Sequence, residues 1–455
     1  MPLPNTIQAP SLIQTFQFFS NPTGFLEKVA QRHPDIFSGT FFAGQPCVFI
    51  QHPQAIEEFF RNEKQKFGLC ENKSVQALIG KYAITSLVGE NHKRHRQLLM
   101  PSFHGERMRC YGQMICDLTE EILSQQPLGQ IFSAHTMMKE ISLEVMLKVV
   151  FGLYSGERYE KLKHLIPSML NLLASPLLST LVFFPFLQKD LGAWSPWGKF
   201  LRICKQVDSL LYAEIAYRRA KPDPERTDIL SLLMEAKDQE GQSMTDQELR
   251  DQLITLLMGG HETTVSGMTW ALYWAHRKPE VGEKLRQELN TLGNNPEPMT
   301  IFKSPYLTAV CNESLRYYHP GLVIFPRVVK QPVELLGYTL EPGTRVIACT
   351  YLIHHREDTY PQHKEFRPER FLEKKYSPYE FLPFGGGMRR CIGEALAIFE
   401  MKLVLASIIS KYKLSLEELQ PVQAKFQGFT LGPANGVKMM LKEQCEPRKS
   451  LQTVA

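Results

Sequence analysis

The chain has 455 residues, 43% of them hydrophobic and 22% charged, which is ordinary globular composition with ample apolar material for a large core. Its 52 basic and 47 acidic residues leave a net charge of +5, too weak to point to nucleic acid as a partner. Nine scattered cysteines, odd in number and without close metal-ligand pairing, suggest a reducing compartment. No basic residue precedes Lys28 and no long apolar core follows Met1, so neither a signal peptide nor a transmembrane anchor is expected, and the protein should fold in the cytoplasm.

In chain order, residues 40–42 and 46–50 read as a hairpin turning at Gly44-Gln45, followed by a helix from Pro53. Helical periodicity then dominates from about residue 90 to 320. Within that stretch His92 and Arg96 lie four apart and share one helix face. Residues 165–187 form a run of 23 without a charge, long enough on paper to span a bilayer. Pro167, Pro176 and Pro185 instead predict short helices with apolar faces. Two readings follow: core packing, or an apolar lid over a substrate channel that also touches a membrane surface.

Thr245 and Glu248 form a capping box, and the helix they open should run about 32 residues to Arg277. At its centre Gly259, Gly260, Thr263 and Thr264 weaken the helix that the flanks favour, and such a concession suggests function. Ser304-Pro305 is a helix start, with the serine as cap and proline at the first turn. Glu313 and Arg316 follow three apart on one face, and Arg370 is a plausible third member. Beyond Lys330 the pattern changes to short strands and turns. The fold class is therefore mainly α with a smaller β portion. Internal repeats and linkers are absent, so residues 1–445 read as one domain and 446–455 as a disordered tail.

Residues 384–393 carry the strongest chemical signal. Phe384, three glycines, Met388, Arg389, Arg390, Cys391, Ile392 and Gly393 present one cysteine on a glycine-rich loop immediately before a helix. Glycines permit positive φ and close approach to a flat ligand, and a helix N-terminus stabilises a thiolate. The run resembles the haem-binding signature of the cytochrome P-450 superfamily, Phe-x-x-Gly-x-Arg-x-Cys-x-Gly, at every defined position. The overall style is similar to soluble bacterial members, including cyanobacterial ones.

That resemblance implies the cytochrome P-450 fold, with haem b (iron protoporphyrin IX) between the long central helix and the cysteine loop and Cys391 as axial ligand. It implies contacts to the cofactor from Phe384, Gly387 and Gly259, and to its propionates from His92, Arg96, Arg327 and Arg389. Glu262 and Thr263 map onto the family's acid and alcohol pair, which assists protonation of O2 as co-substrate. Glu313, Arg316 and Arg370 resemble the family's buried structural network, and Leu322, Val323 and Phe429 occupy places that line substrate pockets. The implied activity is a monooxygenase acting on an apolar small molecule, a long-chain fatty acid first and a terpenoid second. A ferredoxin with its reductase should supply electrons, docking at Lys93, Arg94 and Arg390, and the protein should be a monomer. A haem-thiolate isomerase or dehydratase, and a gas-binding or redox-sensing haem protein, are the rival readings.

Overall fold

A computed structural model describes residues 3–41, 45–70, 73–103, 105–175, 178, 181, 188–418, 420–428 and 430–445. In chain order the described elements begin with α1 (Ser11–Ser20), α2 (Pro22–Ala30), β1 (Ile36–Phe41), β2 (Gln45–Ile50), α3 (Pro53–Lys66), β3 (Phe67–Leu69), α4 (Lys73–Ile79) and α5 (Gly89–Leu99). They continue through α6 (Glu106–Ser124), β4 (Ile131–Ser133), α7 (Ala134–Val145), α8 (Glu157–Ala174), α9 (Pro196–Ala220), α10 (Ile229–Glu235) and α11 (Asp246–Arg277). Next come α12 (Pro279–Asn290), α13 (Pro298–Phe302), α14 (Pro305–Tyr317), β5 (Arg327–Val329), β6 (Val333–Leu335), β7 (Tyr338–Leu340), β8 (Arg345–Ala348), α15 (Thr350–His354) and α16 (Arg370–Glu373). The chain closes with α17 (Glu394–Lys411) and strands β9 (Tyr412–Leu416), β10 (Ala424–Gln427), β11 (Thr430–Pro433) and β12 (Lys438–Gln444).

Helix dominates and the strands are short, as the periodicity predicts. The largest sheet has the order β1-β2-β8-β5-β3, with β2 and β8 parallel and the other pairs antiparallel. It therefore joins the front hairpin to the strand that carries Arg327. A second sheet, β4-β12-β9, and the hairpins β6-β7 and β10-β11 complete the β portion.

The main apolar core lies among the helices, around α6, α7, α11, α14 and α17. Thr245 and Glu248 make the predicted capping box: Thr245 Oγ1 accepts from the Glu248 amide at 3.2 Å, and Glu248 Oε2 accepts from the Thr245 amide at 2.8 Å. From there α11 runs unbroken for 32 residues and is buried on every side over residues 264–273. Gly267 permits its crossing with α17, since a Cβ there would sit 2.9 Å from Met401 Sδ.

Two local expectations need correction. Pro167 does not end a helix; it lies inside α8, whose apolar face (Leu162, Ile166, Met169, Leu170, Leu173) is buried and holds the helix together across the missing N–H. Pro176 and Pro185 lie outside the described residues, and among those described no helix is long and apolar enough to cross a membrane. Ser304 sits at the start of α14 but makes no side-chain cap. The Glu288 carboxylate takes that role from α12, accepting the amides of Tyr306 at 2.7 Å and Leu307 at 2.8 Å. A charged acceptor at a helix N-terminus is the stronger arrangement.

Burial also sets a pH limit. It lowers the histidine pKa to about 3 at His261 and about 4 at His135 and His276, so all three are neutral in the folded protein at neutral pH. Below about pH 6.5 the unfolded chain binds protons that the folded chain refuses, so stability falls with pH at up to roughly 1.4 kcal/mol per unit for each group. Urea unfolding should show full stability above pH 6.5 and progressive loss between 6.5 and 4.

Candidate active site

The cysteine loop is shaped by two left-handed glycines, Gly385 (φ 68°) and Gly387 (φ 63°), and closed by a bond from the Cys391 amide to Phe384 O at 2.9 Å. Cys391 has accessible surface, yet burial raises its thiol pKa against the opposing pull of the Gly393 and Glu394 amides and Arg96. Accessible surface on a desolvated sulfur places it on the wall of an internal recess. Amides at the start of α17 aimed at the sulfur favour its thiolate. Gly387 has a different role from the one expected. A Cβ there would lie 2.2 Å from Glu63 Oε2 and 2.8 Å from the Phe60 ring, so this glycine admits α3 rather than a ligand.

His92, Arg96, Arg327 and Arg389 converge although they come from α5, β5 and the cysteine loop. The His92 pKa falls to about 4, first through burial and then through the charges of Arg389, Arg96 and Arg327, so the imidazole is neutral. Arg389 is pushed down to about 10 by burial and by Arg327, and among the described residues its guanidinium donates to backbone carbonyls, Ile84 O at 3.0 Å and Leu87 O. Arg327 donates to Glu63 Oε1 at 2.9 Å, while Arg96 donates to Arg390 O at 2.8 Å. Glu394 is engaged by Arg390. Among the described residues, Arg327 and Arg389 share the carboxylate of Glu63 while Arg96 and Arg390 share that of Glu394, so four guanidinium groups face two carboxylates and leave a surplus of two positive charges.

On α11 the packing opens where the sequence weakens it. Gly259 is exposed, and a Cβ built there meets nothing within 4 Å. Thr263 Oγ1 is not free as expected; it donates back to Gly259 O at 2.6 Å. Next to it, Glu262 Oε1 lies 3.0 Å from Lys139 Nζ of α7.

Comparison with known proteins is consistent with this geometry. The family profile described as Cytochrome P-450 matches residues 2–438. The chain belongs to the cytochrome P-450 family. It is 31% identical to cytochrome P-450 135B1 of Mycobacterium tuberculosis over 100% of this chain and 94% of that protein. It is 29% identical to cytochrome P-450 138 of the same organism, over 97% of each. A cyanobacterial relative solved with retinoic acid bound, CYP120A1, superposes with a TM-score of 0.85 at 25% identity, covering 98% of this chain and 100% of that one. Family membership makes the protein a haem-iron oxidoreductase of the monooxygenase type that uses O2.

The residues fit the family's haem. A flat group with two carboxylates matches a pair of unpaid positive charges, and guanidinium is the suited donor. A thiol on a recess wall with amides behind it suits an axial ligand. As in other cytochromes P-450, the recess has to be held rigid, and a buried network does this here. Arg316 binds Glu313 through two bonds, at 2.7 and 2.8 Å, with both side chains fully buried, and Arg370 adds a third at 3.2 Å. Arg316 also donates to His354 O at 2.9 Å, and the neutral His354 ring accepts the Leu382 amide at 3.1 Å, two residues before Phe384.

Glu63, Lys139 and His354 are site residues that sequence reasoning missed. None lies in a motif, and each acts on a partner remote in sequence. Leu322 does not line a pocket: it is 3% exposed in a core cluster with Phe37, Cys349 and Leu431, while Val323 is half-buried against that cluster. Phe429 lies outside the described residues. Arg94 is no docking residue, because it turns inward to Asp238 at 2.6 Å and Glu248 at 2.8 Å. Glu313→Ala would strand Arg316 and Arg370 without a counter-charge, and urea unfolding should show a loss of about 3–5 kcal/mol.

Proposed function

We propose that this protein is a haem-b monooxygenase inserting one oxygen atom into an apolar organic substrate, a long-chain fatty acid first and a terpenoid second. Cys391 would be the axial ligand, and residues 1–445 would act as a single monomeric unit in the cytoplasm. The observation that carries the reading is the surplus of two positive charges beside a recessed thiol. Support for the substrate class comes from the relative solved with retinoic acid, itself an apolar acid.

Bound haem supplies the activation of O2 with two electrons and two protons, placing one oxygen atom in the substrate and releasing the other as water. The chain's own residues prepare the rest. Gly393 and Glu394 amides hold negative charge on Cys391 Sγ. Arg96, Arg327, Arg389 and the neutral His92 would hold the two haem carboxylates. The open face over Gly259 leaves room for a small ligand. Thr263 Oγ1, swinging from Gly259 O toward the open face, would give its own proton there and regain one from solvent through the Glu262–Lys139 pair. A positioned acid and alcohol favour oxygen protonation over the isomerase, dehydratase and sensor readings.

Cys391→Ser should abolish the red-shifted carbon-monoxide band of a ferrous thiolate complex; a normal band in that variant overturns the reading. Thr263→Ala should keep haem and substrate binding while diverting electrons to peroxide or water, measured as product formed per electron consumed.

A ferredoxin with its reductase would supply the electrons. Arg96 ties α5 to the cysteine loop through Arg390 O, so the exposed Lys93 and Arg390 flank that loop. Lys93→Glu with Arg390→Glu should slow reduction at low salt and have less effect as salt is raised. Stopped-flow reduction over a salt series measures it.

A further inference from the structure

Among the described residues, four exposed large apolar side chains, two of them among the most exposed, share one helix. On α1, Leu12 is 83% and Phe16 72% exposed, with Ile13 and Phe19 beside them, while Phe18 turns inward. Residues 12, 16 and 19 recur at helical spacing and make one stripe. No residue from 1 to 26 carries a charged side chain. An apolar stripe of this kind on a surface marks a contact face.

Its neighbours indicate what it contacts. Phe18 and Phe19 pack on Phe426 of β10, with ring centroids 5.7 and 6.0 Å apart. The turn after β10 brings Gly428 against Ala174 at the end of α8, where an added Cβ would lie 3.2 Å from the backbone. Helices α8 and α9 are antiparallel, because Arg158 at the start of α8 pairs with Glu214 near the end of α9 at 2.7 Å. The end of α8 therefore lies beside the start of α9. Just before that start stand two more exposed apolar side chains, Leu191 and the 81%-exposed Trp194. Exposed Lys199, Arg202 and Lys205 then follow along α9. With Lys189 and Lys425, five exposed basic side chains adjoin this rim, while the acidic groups beside them are engaged, Asp190 by Arg202 at 3.0 Å and Asp208 by Arg250 at 2.7 Å.

We propose that this end of the molecule docks on an anionic lipid bilayer. Leu12, Ile13, Phe16 and Leu191 enter the headgroup boundary, Trp194 sits at the water–lipid interface, and the basic flank meets lipid phosphates. Charge argues against a second copy on the same face: a two-fold contact would oppose the two basic rims. Docking requires none of the redox chemistry, so it and the monooxygenase reading can fail separately.

The purified holoenzyme is tested by flotation with vesicles of equimolar phosphatidylcholine and phosphatidylglycerol, with phosphatidylcholine vesicles alone as the reference. Binding should favour the anionic vesicles and weaken with salt. Leu12→Ser with Phe16→Ser should reduce it about ten-fold or more, and Lys199→Glu with Lys205→Glu should remove the anionic preference. All four side chains are exposed, so unchanged circular-dichroism melting should confirm that the variants fold. Trp194 fluorescence should shift to the blue on vesicle addition, and Trp194→Phe should lose the shift, since Trp197, Trp270 and Trp274 are not exposed. Absence of anionic binding at low salt, or equal binding by the Leu12/Phe16 variant, overturns the proposal. So does a dimer in sedimentation that the same substitutions dissolve while vesicles remain unbound.

Discussion

The arrangement depends on an electrostatic imbalance. Buried charge is tolerated only when it is paired or hydrogen-bonded. Around the cysteine loop Arg327 and Arg389 share Glu63 while Arg96 and Arg390 share Glu394, and among the described residues the Arg389 hydrogen bonds go to backbone carbonyls. Burial and mutual repulsion lower the pKa of Arg389 and of its neighbour His92. A fold that gathers these groups from three elements carries strain that a bound dianion relieves. Binding of such a group and stability of the fold are therefore linked.

The rest of the structure holds that imbalance in place. Glu63 joins Arg327 to the Met388 amide, so α3, β5 and the cysteine loop share one carboxylate. Behind the loop, the Glu313, Arg316 and Arg370 cluster reaches Leu382 through His354. On the other side, Gly259 is the one exposed residue of α11 between Glu248 and Arg277, so the opening is local. The polar pair there is restrained as well, Glu262 by Lys139 and Thr263 by its own helix.

Much of this was legible in the sequence because it is local. The capping box at Thr245 and Glu248, the length of α11, the left-handed glycines at 385 and 387 and the spacing of Glu313 and Arg316 are set by residues within a few positions of one another. Long-range partners were not legible. Glu63 lies 264 residues from Arg327 on an ordinary amphipathic helix, and Glu288 caps α14 from α12. Arg94 looked like surface charge in a basic run, but Asp238 and Glu248 draw it inward from far along the chain. Pro167 looked like a breaker, and tertiary packing of α8 overrides its cost. Leu322 has the composition of a pocket residue and the position of a core one.

The claim that two unpaid positive charges select a dianionic cofactor is tested most directly by thermal unfolding of haem-free protein titrated with haem and with haem dimethyl ester. The ester keeps the flat ring and the iron but lacks both carboxylate charges. Haem should raise the melting temperature strongly and the ester only weakly, with the difference shrinking when Arg389 is replaced by glutamine. Equal stabilisation by the two compounds would contradict the account.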